Sequence, residues 1–525
     1  MNSQKIFLLI LALLIFASIV TALHTGERDR DGVAISWATD PNEQRYDQRD
    51  IFYQWQLANG IVDEAGKPKI RLHLDTATNQ SMLIQLVSGV GSDVFDVYGI
   101  RTYQPFGVMQ PFTEEAKRNG FSLADTYPGL EDELMAGGEQ YAYPFNVANI
   151  SFWINVDAFE RVGMAPPGLE WTPEEFERIG AEFVIRANAG KKRQEVFFTN
   201  AAVPNMQLDV IARSKGVDRY NETLTAATLT DPWHVAALEM LKRWTYEDVW
   251  SFRDAEGEPL DFDRLVPGYR PEIPLRLSPS PSDVQSMSSS SGYGGNDLSQ
   301  FCIGNYATVY FGRHLLIRLR GLPEEERPRL AIAQHPMYEF PNTIIYSRAA
   351  GLYKGGRNQE AAKTFLKYIA SREYNEYILL GGDGLPSNPA YSLADPNFGH
   401  PERFPNEGDT TRQSTIWAKE VGFIQPVSPY IKGVTIDWMK TAYEKYCNDR
   451  SPSALAALAE AEERYARDIQ TNIAANPELK KQYEADVELQ KRVDDYKAAG
   501  KKLPAAWIKN SFLKAYYRAK GMLQE

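Results

Sequence analysis

Gly138-Glu-Gln-Tyr-Ala-Tyr-Pro-Phe145, Ile150-Ser-Phe-Trp-Ile-Asn-Val-Asp-Ala-Phe-Glu-Arg-Val-Gly163 and Trp171-Thr-Pro-Glu-Glu175 form one block between residues 138 and 175. Its reading decides the fold. An apolar strand is expected to end at Tyr143-Pro144, and a second to end at Asn155-x-Asp157. A short helical turn then follows, stopped by Gly163. Thr172 and Glu175 have capping-box spacing, and Pro173 suits the first position of the helix they open.

Upstream, Val33–Ala38 reads as a strand and 43–59 as a helix. Residues 69–74 alternate as a second strand, Asn79–Val87 has an apolar helical face, and Ser88–Val97 supplies a turn and a third strand. This β-α-β-α-β order implies a parallel sheet covered by helices on both faces. Residues 172–250 are mainly helical in pattern. Downstream, Phe301-x-x-Gly304-x-x-Ala307 leads to Gly312-x-His314, and Ile344–Leu352 reads as a strand. Asn358-Gln-Glu-Ala-Ala-Lys-Thr-Phe-Leu-Lys-Tyr-Ile-Ala-Ser371 is amphipathic and precedes Gly381-x-x-Gly384-Leu-Pro386.

Taken in order, these blocks resemble the landmarks of extracellular solute-binding proteins of ABC importers, in the branch (family 1) that mostly carries sugars. Ser92 replaces a usual Pro, Trp171 precedes rather than follows its Thr, and His314 replaces a usual Trp. The resemblance implies an α/β, two-lobed periplasmic-binding-protein fold of type II. Lobe 1 would hold 33–143 plus 342–390, and lobe 2 would hold 144–341 plus 391–475, with a hinge of crossing segments. It also implies a non-enzyme that binds a sugar between its lobes, closes and docks on ABC permease membrane subunits, as a monomer and without a cofactor or metal.

Bulk properties bound the rest. The chain has 525 residues and a net charge of −12, which disfavours a nucleic-acid partner because phosphate binding needs basic surface. With 10 Trp, 28 Tyr and 24 Phe, aromatics suffice for large cores or for stacking against sugar rings. Cys302 and Cys447 lack zinc-site spacing and read as two buried thiols rather than a disulfide. Lys5 precedes an uncharged apolar run, Ile6–Leu23, and then Glu27-Arg-Asp-Arg-Asp31. Residues 1–32 are thus an export signal cleaved after Ala22 or an uncleaved membrane anchor, either of which puts the body outside the cytoplasm. No cysteine lies near residues 15–30 to carry a lipid. Residues 278–297 are Ser/Gly-rich and read as a flexible insertion, and 476–525 as a helical extension lying on lobe 2.

Ligands of open parallel sheets sit off the carboxyl ends of strands. That rule selects Trp37, Asp40, Asp75, Thr76, Tyr98, Arg101, Tyr143, Asn146 and Asn149. The landmark at 301–314 adds Tyr310, Arg313 and His314. Asp, Asn and Arg would bond hydroxyls directionally, and Trp and Tyr would cover apolar ring faces. Core packing competes for Trp37 and Trp153, a turn role for Asp93, and Trp417 fits either a cleft or a core. Two other functions use overlapping features. A secreted carbohydrate-active enzyme needs two carboxylates across a glycosidic bond, for which Asp261-Phe-Asp263 is the nearest local pair. A ligand-sensing partner of a membrane receptor would need only the binding fold. An iron-binding version would need adjacent tyrosines, and Tyr516-Tyr517 lies in the extension.

Overall fold

The computed structural model describes residues 33–269, 273–290, 297–432 and 436–524. Residues 1–32, expected to be an export signal or a membrane anchor, and residues 291–296 of the Ser/Gly-rich stretch lie outside these. The chain divides into two compact units. The smaller runs through Phe95 and includes Tyr353–Tyr368, and the larger comprises Asp96–Leu352 and Ile369 onward.

In the smaller unit, β1 (Val33–Thr39), α1 (Gln44–Ala58), β2 (Ile70–Thr76), α2 (Asn79–Val87) and the start of β3 (Val94–Val97) follow the expected order. β1 pairs in parallel with β2 along its whole length, and with β3 through Trp37–Val94 and Ala38–Phe95. Local chemistry fixes each joint. Gln56 reaches from α1 to β2, where its amide donates to Ile70 O at 2.8 Å and accepts from Ile70 N at 2.7 Å. Thr78 caps α2 through Ser81 N. Asp93 is the structural turn residue anticipated: one carboxylate oxygen accepts from Ser36 N at 3.0 Å, and the other from Arg357 N at 3.0 Å.

The larger unit is organised on β4 (Ala142–Asn155), of which every residue is buried. The two strands expected here are one. Pro144 lacks an N–H, yet it does not end the strand, because a register shift between Pro144 and Asn146 absorbs it. Three other strands serve β4: β5 (Thr308–Gly312), β6 (Leu330–Ala333) and β7 (Thr343–Leu352). The first half of β4 pairs antiparallel with β7, and the second half with β5 and β6. Val147 also exchanges backbone bonds with Leu385. Gly384 makes that approach possible: its φ is +128°, and a Cβ there would stand 2.9 Å from Val147 O. The Gly-x-x-Gly-Leu-Pro landmark is therefore a segment laid against β4.

Asn155 ends the strand by bonding Phe301 O at 2.8 Å and capping the next turn through Ala158 N at 2.9 Å. The capping box of Thr172 and Glu175 forms as expected on α3 (Pro173–Ala187). Trp153 and Trp417 are both core residues of one cluster with Phe301, Leu316 and Ile332.

Residues 281–290 of the Ser/Gly-rich stretch are a helix, α4 (Pro281–Ser290), rather than a flexible loop. Ser280 and Asp283 bond each other reciprocally at its start, supplying the start signal that composition hides. The extension forms α5 (Pro477–Ala498) and α6 (Ser511–Ala519). It is fastened to the rest of the larger unit by Lys497 and Tyr517 on Glu222, each at 2.6 Å, and by Asn510 on Asp218 at 2.8 Å. Cys302 and Cys447 are free thiols, and burial pushes each up to about 11. No helix among the described residues is long and apolar enough to cross a membrane.

Glu133 accepts from Ser347 N at 3.0 Å and Ser347 Oγ at 2.8 Å, on β7. Desolvation holds its carboxyl up to about 7, against those two bonds. A folded-state pKa above the unfolded value means that stability is present at low pH and is lost as pH rises toward 7. Glu133→Gln is therefore expected to raise the unfolding midpoint at pH 8 while changing it little at pH 4, measured by thermal melts across pH. Gly384→Ala is expected to cost about 2 kcal/mol or more in denaturant unfolding, from a left-handed backbone plus a clash with β4.

Candidate functional site

Burial sorts the candidates expected from the sequence. Trp37 is fully buried, its ring 5.5 Å from Phe365, so it is core of the smaller unit rather than a ligand platform. Tyr143 packs edge-on to Phe121 at 5.9 Å. Tyr310 lies between Phe152 and His335, each at 5.1 Å. Asn149 turns its amide to Ser151 Oγ at 2.8 Å. All three are buried. These four residues and Arg313 share one cause of burial: strands covered on both faces bury aromatic and polar side chains alike. Arg313 is a brace, donating to Gly384 O at 2.7 Å, Leu379 O at 3.3 Å and Thr411 Oγ1 at 3.0 Å. Burial, with Arg320 nearby, brings its pKa down to about 9.

In the smaller unit, Asp40, Asp75 and Thr76 stand at or just beyond the carboxyl ends of β1 and β2, as the strand-end rule requires. Asp40 is ion-paired with Arg45 at 2.7 Å, Asp75 accepts from Ser92 Oγ at 3.2 Å, and Thr76 is exposed.

Of the remaining candidates, the larger unit brings Tyr98, Asn146 and His314 to one face. Tyr98, just past β3, is exposed, and Arg101 in the next turn donates to Val427 O. Asn146 on β4 donates its amide to Asp383 O in the 381–386 loop. His314 follows β5 with an exposed side chain, its ring 4.8 Å from Phe311. Desolvation lowers its pKa, and Asp383 opposes that.

Two residues that sequence reading missed complete this face. Tyr346 is the one position of β7 that is not buried, and its hydroxyl points at Gly312, where a Cβ would meet it at 3.3 Å and the His314 ring at 2.8 Å. Burial pushes its phenol up to about 12, with Asp383, Glu133 and Tyr98 adding to the effect. The half-buried Asp383 carboxylate thus lies within electrostatic reach of both His314 and Tyr346. Beneath them Arg348 is buried, paired with Asp96 at 3.3 Å and lying 4.5 Å over the Phe145 ring. No period-2 pattern could reveal Tyr346, because its neighbours along β7 are buried on both sides.

The face combines two phenols, an imidazole, a carboxylate and an amide. It offers directional hydrogen bonds beside aromatic surface. Asp261 of the Asp-Phe-Asp pair instead caps the short helix Phe262–Leu265 through Arg264 N at 3.1 Å. A separate open groove of about 640 Å³ is rimmed by Lys192, Arg193, Arg276 and Asp283, the last two ion-paired at 3.0 Å. Among the described residues, no cluster of His, Cys, Asp and Glu is arranged to hold a metal ion.

No family model matches the sequence, and no curated protein matches it. Solved structures do. An ABC substrate-binding protein from Listeria monocytogenes, in complex with cycloalternan, superposes with a TM-score of 0.61 at 18% identity, over 85% of this chain and 100% of its own. The sugar-binding protein MalE from Xanthomonas citri gives 0.60 at 13%, over 84% and 98%. The cyclic alpha-maltosyl-1,6-maltose binding protein from Arthrobacter globiformis gives 0.58 at 13%, over 84% and 100%. The chain therefore has the α/β type II fold of periplasmic solute-binding proteins, as its sequence landmarks imply.

Proposed function

We propose that the chain is the extracytoplasmic solute-binding component of an ABC import system, with a carbohydrate as cargo. The observation that carries this reading is the face formed by Tyr98, Asn146, His314, Tyr346 and Asp383 in a fold whose solved examples are named as sugar- and oligosaccharide-binding proteins. Hydroxyl-rich ligands need planar acceptors and donors, which the Asp383 carboxylate and the His314 imidazole supply. Their C–H faces need aromatic cover, which Tyr98 and Tyr346 supply.

The reading includes the lobe boundaries expected from the sequence, 33–143 with 342–390 and 144–341 with 391–475. It also includes closure around the ligand and delivery by the monomer to permease subunits in the membrane. Binding without turnover is the whole of the activity. The two compact units differ from these boundaries: residues 342–352 and 369–390 fall in the larger unit, and with them the segment 96–143. Tyr127 Oη to Pro386 O at 3.0 Å and Gln110 N to Leu352 O at 2.9 Å show why: this segment packs on β7 and the 381–386 loop.

A ligand that binds only the folded state raises its unfolding midpoint by mass action. A thermal-shift screen of mono- and oligosaccharides is expected to give a concentration-dependent rise with one sugar class. Failure of every carbohydrate would refute the ligand class. With the sugar in hand, Tyr98→Ala and Asp383→Asn should each weaken Kd by about tenfold, the effect of losing one stacking or charge-assisted contact of about 1.4 kcal/mol. The unliganded midpoint of Tyr98→Ala should stay close to that of the parent, since its side chain is exposed.

A further inference from the structure

α2 buries Met82 and Leu86 against the smaller unit but leaves Ile84 61%, Val87 56% and, in the turn that follows, Val90 72% exposed. Val90 is the most exposed large apolar side chain among the described residues. Single exposed aliphatics are ordinary; three on one helix and its turn are not. The stretch between Asp75 and Asp93 also contains no charged residue.

The position of this patch is informative. β2 and β3 both run parallel to β1, so the crossover helix α2 runs back against them. Its C-terminal turn therefore points toward the edge from which Val33 sets out. That edge also carries exposed cations: Lys69 before β2, and Lys354 and Arg357, in a segment held there by Tyr353 N and Arg357 N, which both donate to Asp93. An open groove of about 530 Å³ there is lined by Val33, Lys69 and Arg357, with the exposed Glu360 the one carboxylate among its lining residues. Upstream of Val33, the apolar run Ile6–Leu23 ends ten residues away, a tether of at most about 35 Å when fully extended.

We propose that this edge of the smaller unit rests on an anionic lipid bilayer. The run Ile6–Leu23 is retained as the anchor, Ile84, Val87 and Val90 enter the headgroup region, and the flanking Lys and Arg side chains face lipid phosphates. The surface is independent of the ligand face and of which sugar is carried.

The test uses the full chain in vesicles of phosphatidylcholine and phosphatidylglycerol. A fluorophore is attached at Val90→Cys or, as a control at the opposite end of β2, at Thr76→Cys, with the labelled parent as the blank for Cys302 and Cys447. Unchanged melting midpoints confirm that both variants fold. The expected result is several-fold stronger quenching by headgroup spin-labelled lipid at position 90 than at 76, weakening in high salt. Equal quenching at both positions, with equal access to aqueous iodide, would overturn the proposal. So would protection at 90 that appears only when membrane proteins are added to the vesicles, which would assign the patch to a protein partner. A chain recovered from cell membranes that begins at residue 23 would remove the anchor and overturn it as well.

Discussion

Every backbone polar group of β4 must find a partner away from water, because all of its residues are buried. That constraint arranges the larger unit. β7 satisfies the first half of the strand, β5 and β6 the second, and Leu385 takes the remaining bonds of Val147. Each partner is drawn from a distant part of the chain, so the strand forms only when the larger unit is assembled. The polar side chains on β4 follow the same logic: Asn146, Asn149 and Asn155 all spend their amides on protein groups.

The proposed ligand face is a by-product of this spine. Gly384 lets a loop lie on β4, which places Asp383 beside Asn146. Gly312, at the end of β5, leaves room for the His314 ring and the Tyr346 hydroxyl to converge. Arg313 then holds the loop from behind through Gly384 O. Beneath the face, Asp96 and Arg348 neutralise each other in a buried pair. Removing either would leave an uncompensated buried charge, so the pair fixes the end of β3 relative to β7 more firmly than a surface ion pair could. The side chains that meet solvent are thus mounted on strand ends and a braced loop, which favours a preorganised binding surface.

The sequence makes the fold largely legible because its landmarks each do one backbone job. Thr172 and Glu175 cap, Asn155 caps, Gly384 permits close approach, and Asp93 ties a turn to β1. Local rules read such residues well. The site is less legible, because strand-end position does not specify which way a side chain points once both faces are covered. Trp37 and Tyr310 sit where a sugar platform would be sought, but their aromatic neighbours Phe365 and His335 come from remote segments. Tyr346 escaped notice for the converse reason, being a half-exposed position within an otherwise buried strand. Pro144 misled through a rule that holds for strand interiors but not at a register shift. The serine run was misread because Ser280 and Asp283 cap a helix that composition alone argues against.

The central claim is that carbohydrate binds on the face where β4, β5 and β7 meet the 381–386 loop. Hydrogen–deuterium exchange of the intact chain, with and without the sugar that most raises its midpoint, tests this most directly. The account predicts new protection at residues 96–101, 312–316, 344–348 and 381–385. Protection confined to the groove around Arg193, Arg276 and Asp283, with those four segments unchanged, would contradict it.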